Sequence, residues 1–182
     1  MKKRIIARLD IKKDTLIKGV HLEGLRVVGD PKKFALKYYL DGVDELLLLD
    51  SVATLHGRNA LSKSINYISE NIFIPITVGG GITNTKQAYE LFNSGADKIT
   101  INTGAVENKE IIKELSDNFG AQALVLSIQA KKYNNQWNVM TYNGREKNDM
   151  KVENWIEIAQ DLGIGEVMLT SIDQEGTGLG FD

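Results

Sequence analysis

The sequence predicts an α/β fold with a parallel sheet, and three observations carry that expectation. Apolar runs of strand length alternate with segments of helical periodicity. The runs are almost continuously apolar, as expected of parallel strands covered by helices on one side and facing a core on the other. A strand–helix–strand pattern near the start of the chain also recurs further along it.

The strand runs fall at 4–9 (RIIARL), 44–49 (DELLLL), 74–78 (IPITV), 97–102 (DKITIN), 123–129 (ALVLSIQ) and 166–171 (EVMLTS). Helices are expected between them. Asp30–Pro31 offers an N-cap and a proline at the first helical position ahead of "KKFALKYYL", and Gly42 closes that segment. Leu61, Ile65 and Ile68 share one face of a second helix. "NTKQAYELFNSG" ends on Gly95. Ile111, Ile112, Leu115 and Phe119 mark a further helical face, and Val152, Trp155, Ile156 and Ala159 the last. Two segments break the rhythm. Residues 13–29 are too long for an ordinary βα connection and read as a mobile functional loop. Residues 133–148 alternate as "QWNVMTY" between Asn134–Asn135 and Asn143–Gly144, which predicts a small β-hairpin.

The recurrence is specific. "IARLDIKK" at 6–13 matches "LVLSIQAKK" at 124–132, placing Asp10 and Gln129 in corresponding positions 119 residues apart. "GVDELLLLD" from Gly42 matches "GIGEVMLTS" from Gly163, 121 residues apart. The first half continues through two more βα units, and the second stops at Asp182 after its second strand. The expected architecture is a (β/α)8 TIM-barrel type with duplicated half-barrels. It would form a single domain over 1–182, with six of eight units present and the last two absent.

Composition narrows the function. The chain has 182 residues, 42% hydrophobic, with a net charge of −2 and dispersed Lys and Arg, so no basic stripe proposes a nucleic-acid groove. No apolar run approaches the roughly 20 residues of a membrane span. The N-terminal "MKKRIIARLD" is interrupted by Arg8 too early for a signal peptide. Zero cysteines exclude disulfides and thiolate metal sites and fit a reducing cytoplasm. With only His21 and His56, neither a histidine-built metal site nor a Ser–His–Asp triad is expected. The chemistry falls to carboxylates, lysines and backbone amides.

In a βα barrel these groups act at the C-terminal ends of strands. The glycines of "VGGG", Gly80 and Gly81 among them, follow a strand and allow backbone N–H groups to approach a phosphate, although such a run alone can be a simple turn. Asn102 and Thr103 end the next strand and add donors. Asp50 and Gly176 complete the candidate substrate set. Asp10 is a candidate acid/base, whereas Gln129 cannot be one, because an amide does not exchange a proton near neutral pH. Glu175 is a further carboxylate at the mouth or a solvated loop acid. Arg4, Ile6, Arg8 and Asp10 project from one side of the first strand, so Arg8 should favour ionised Asp10. Arg4, Glu45, Lys98 and Glu166 each start a strand and could ring the opposite end of the barrel.

"RIIARLDIKK", "GDPKKFALKYYLDGVDELLLLD", "IPITVGGGI", "GADKITINTGAVEN", "FGAQALVLSIQAKK" and "GEVMLTSIDQEGTGLGFD" together resemble the cyclase subunit of imidazole glycerol phosphate synthase. The resemblance covers essentially the whole chain. It implies a barrel that receives ammonia from a glutaminase subunit docked at its floor, and it implies no cofactor and no metal. The ammonia would be used to cleave and cyclise a phosphoribulosyl-formimino aminoimidazole carboxamide ribonucleotide, in histidine biosynthesis. By the same resemblance Asp10 is one catalytic aspartate, Gln129 replaces the second, and Lys18 belongs to the loop over the mouth. Gly81, Asn102 and Thr103 hold phosphate; Arg4, Glu45, Lys98 and Glu166 form an ammonia gate; Asp97 contacts the glutaminase. Glu175 stands where an aspartate is usual, and Arg8 where the family has a small neutral residue.

These departures keep other readings open. "EGLRVVGDP", "LHGRN" and "YNGREKN" resemble paralogues of surface-polysaccharide (lipopolysaccharide) gene sets, in which the barrel would conduct ammonia for a sugar amidotransferase. A third reading is an inactive barrel that folds with a partner or as an oligomer through open sheet edges. A sister phosphosugar isomerase shares the fold and a carboxylate pair, but the full charged set and the long Lys18 segment argue against it.

Overall fold

Residues 3–53 and 61–182 are described by the structure, a computed structural model, with backbone only at 62 and 63. The "LHGRN" motif and His56 lie outside the described residues. The chain divides into two compact units, one of Met1–Ile17 with Val27–Ile99 and one of Lys18–Arg26 with Thr100–Asp182.

In the first unit β1 (Ile6–Lys12) runs parallel to β4 (Glu45–Asp50), in register from Ile6↔Glu45 to Ile11↔Asp50. β4 in turn runs parallel to β5 (Ile76–Gly79). The helices are α1 (Pro31–Leu40), α2 (Ser62–Asn71) and α3 (Thr85–Asn93). Asp30 caps α1 through a hydrogen bond from the Lys32 N–H, with Pro31 at the first turn, a contribution of about 1 kcal/mol. Leu9, Ile11, Leu46, Leu48, Ile76 and Val78 from the strands are buried, as are Ala35, Leu61, Ile65, Ile68 and Leu91 beside the helices. A repeated device fixes the strand starts. Asp44 donates its N–H to the Ile5 carbonyl and accepts the Ile5 N–H on its carboxylate at 2.7 Å. Asp97 does the same with Ile76, at 2.8 Å on the carboxylate.

The second unit is built on β7 (Leu124–Tyr133), parallel to β10 (Glu166–Ser171) from Val125↔Glu166 to Ala130↔Ser171. β7 is antiparallel to β8 (Gln136–Thr141), which pairs with β9 (Glu146–Lys151). Its helices are α4 (Thr103–Glu107), α5 (Glu110–Phe119) and α6 (Val152–Asp161). β6 (Lys98–Ile101) begins in the first unit and ends in the second.

The duplication is visible rung by rung. Asp10 lies opposite Leu49 on its parallel neighbour and Ile17 on its antiparallel one. Gln129 lies opposite Thr170 and Met140 in the same two relations. Order and type of elements are those of the expected (β/α)8-barrel class.

Two expectations are corrected. Residues 13–29, expected as a loop, form two strands, β2 (Thr15–Val20) and β3 (Glu23–Gly29). The turns are carried by Lys13 (φ 57°) and by His21 and Leu22 (φ 54° and 62°), which lack the glycine or asparagine that announces such turns. The expected single hairpin after β7 is a three-strand meander, since "EKNDMK" at 146–151 also pairs.

Candidate functional site

Asp10 lies near the end of β1 and is only 8% exposed. Arg8, two residues earlier on the same face, donates from Nε to Asp10 Oδ1 at 2.9 Å. The strand alternation expected from sequence thus brings these two groups together. At the end of β4, Asp50 is buried and accepts the Val52 N–H at 3.1 Å. Gly80 sits against it, because a Cβ there would fall 2.5 Å from the Asp50 carbonyl oxygen, and its φ is +120°. Gly81 also has positive φ, at 67°. Only glycine fits the first of these positions, so the backbone after β5 stays bare, as an approach to phosphate needs.

At the start of the strands of this unit, three of the four expected charges meet. Buried Glu45 accepts from Arg4 Nη1 at 3.1 Å and from Lys98 Nζ at 3.1 and 3.2 Å. Thr77, a partner that sequence reasoning missed, donates to Glu45 Oε1 at 2.5 Å. Its signal was a hydroxyl inside an otherwise apolar strand. Asp97 is exposed beside this cluster in sequence and spends one carboxylate oxygen on Ile76.

In the second unit Lys18 pairs with Glu175. The same segments are joined again by His21, whose N–H donates to the Glu175 carbonyl at 2.8 Å and whose Nδ1 lies 2.9 Å from the Ile172 carbonyl. A Cβ on Gly176 would meet the Gly19 carbonyl at 2.2 Å. Glu166, the fourth expected gate charge, is half-buried at the start of β10.

Gln129 is 8% exposed, and its Nε2 donates to Asn143 Oδ1 at 3.3 Å. Asn102 does not end β6 but precedes α4, and its Nδ2 reaches the Met140 carbonyl at 3.5 Å. Thr103, expected at the strand end, is the first residue of α4, and its hydroxyl accepts the Tyr142 N–H at 3.0 Å. Tyr142 in turn donates its hydroxyl to Glu107, and that bond, with the carboxylate charge, holds the phenol above its ordinary pKa. Asn143 and Tyr142, bonded to Gln129 and Thr103, are therefore further candidate residues. Their sequence signal was only the turn in which they sit.

Among the described residues no three His, Asp or Glu side chains gather as a metal site requires. No helix among them is long and apolar enough to cross a membrane.

Comparison with known proteins gives a consistent relationship. A family described as histidine biosynthesis protein matches residues 4–182. The imidazole glycerol phosphate synthase subunit HisF of Legionella pneumophila is 55% identical over 180 residues, covering 98% of this chain and 85% of that protein. The HisF subunits of Sulfurisphaera tokodaii and Pyrococcus furiosus are 44% and 43% identical, each covering 99% of this chain and 72% of the relative. The surface-polysaccharide alternative finds no support in these relatives. With matching rungs, strand-end groups and near-complete coverage, the chain belongs to the histidine-biosynthesis family, as a HisF-type cyclase subunit of imidazole glycerol phosphate synthase.

Proposed function

We propose that this chain performs the ammonia-dependent cyclase reaction of its family with Asp10 as its principal acid/base group. The substrate in this reading is the phosphoribulosyl-formimino aminoimidazole carboxamide ribonucleotide. The products are imidazole glycerol phosphate and an aminoimidazole carboxamide ribonucleotide. The observation that carries the reading is the polarity of β1. Arg4 precedes it and joins the buried Glu45–Lys98 cluster, while Asp10, held by Arg8, stands toward its other end. One strand thus links a charged entrance to a strand-end carboxylate. Ammonia comes from a glutaminase subunit and enters past Arg4, Glu45 and Lys98, with exposed Asp97 available for docking; Glu166 is the matching strand-start charge of the second unit.

The residues divide the work by their chemistry. Asp10 moves protons, a task that the amide of Gln129 cannot share. For phosphate, Gly80 and Gly81 supply backbone amides, Asn102 its backbone N–H, and Thr103 its backbone N–H and hydroxyl. Asp50 shapes the backbone at Gly80, and Gly176 allows the close approach of Gly19 on the Lys18 segment. Lys18, on the hairpin that pairs with Glu175, provides a cation toward the anionic substrate. The test is formation of both products from the ribonucleotide with ammonium salts. Unmodified protein should turn over, and Asp10→Asn should lose about 10²–10⁴-fold in kcat. Equal rates for the two would overturn the assignment of Asp10.

A further inference from the structure

Two side-chain carbonyl oxygens in the second unit, Gln129 Oε1 and Asn102 Oδ1, are buried and accept no hydrogen bond among the described residues. Both amides are tethered by their nitrogen ends. Gln129 Nε2 is held by Asn143, and Asn102 Nδ2 by the carbonyl of Met140, the residue directly across the ladder from Gln129. The anchors lie on β8 and the turn that follows it, so the two oxygens belong to one neighbourhood and are the ends left over. A buried carbonyl without a donor weakens the fold, and an orphan of this kind calls for an explanation. A methionine at 129 would fill similar space without that cost.

We propose that Gln129 and Asn102 form a neutral acceptor pair that receives N–H groups of the substrate, an amide, amidine or imidazole nitrogen. Two carbonyl oxygens present lone pairs only, so they select a donor and disfavour phosphate or carboxylate. Gln129 is then a positioning residue rather than a disabled acid. This assignment rests on the cyclase reading for the identity of the ligand.

The test uses the full chain and two ligands, imidazole glycerol phosphate and glycerol phosphate, which lacks the ring N–H. Calorimetric titration of Gln129→Met should show imidazole glycerol phosphate weakened about tenfold, the value of one hydrogen bond. Glycerol phosphate should stay within about twofold, and the unfolding temperature of the free protein should not fall. Gln129→Glu, which keeps an acceptor, should bind imidazole glycerol phosphate within about threefold of the unmodified chain. Equal affinity of Gln129→Met and the unmodified chain would overturn the proposal while leaving the cyclase reading intact. So would parallel loss of both ligands, or a Glu variant as weak as the Met variant. No binding of imidazole glycerol phosphate by the unmodified chain would count against the cyclase reading and remove the proposal with it.

Discussion

Glu45 is 2% exposed, and a carboxylate is tolerated there because Arg4, Lys98 and Thr77 all donate to it. The two cations do not contribute equally. Lys98 is 13% exposed at its side chain and Arg4 is 53% exposed, so solvent screens the arginine much more. Lys98→Met should therefore destabilise the protein by about 3 kcal/mol. Arg4→Met should cost no more than about 1 kcal/mol. Urea unfolding of the two variants separates them, and equal losses would contradict this view of the cluster. A similar contrast holds between two glycines. Gly42 has φ +88° with open space around it, so Gly42→Ala meets only backbone strain, about 1 kcal/mol. Gly80→Ala adds a collision with the Asp50 backbone and should cost several times as much, with a matching drop in unfolding temperature.

Among the elements, hairpins carry most of what sequence reasoning did not see. The turn at Asn134–Asn135 was legible because asparagine tolerates the left-handed region both residues adopt, at φ 48° and 59°. His21–Leu22 adopts the same region without that signature, so β2 and β3 read as loop. Helices were legible from their faces. Trp155 and Ala159 of α6 are fully buried, as their spacing with Val152 implied. The turn between β8 and β9 makes a pH prediction. Tyr142 donates to the Glu107 carboxylate, which favours the neutral phenol and raises its pKa from 10.0. Its contribution is intact below the ordinary tyrosine value and is lost as pH rises through the raised one. An absorbance titration of the tyrosines should show one late phenol, and Glu107→Gln should bring it back toward the others. An unchanged titration in that variant would contradict the assignment.

For the whole molecule, the two compact units carry the same strand relations, with Asp10 and Gln129 on equivalent rungs. The order of elements and the charged strand starts were legible because parallel strands are long apolar runs with polar ends. Thr77, Asn143 and Tyr142 were not. Their partners lie 32, 14 and 35 or 39 residues away, beyond anything local periodicity can report. The equivalent rungs also define the chemical question, a carboxylate in one unit and an amide in the other. The experiment that decides it is ammonium-dependent turnover of the formimino ribonucleotide by the unmodified chain and by Gln129→Asp. With Asp10 carrying the proton transfers, the unmodified chain forms imidazole glycerol phosphate, and the added carboxylate is not required. Turnover only after aspartate is restored at 129 would contradict this, and would mean that the unmodified barrel has given up the acid–base step.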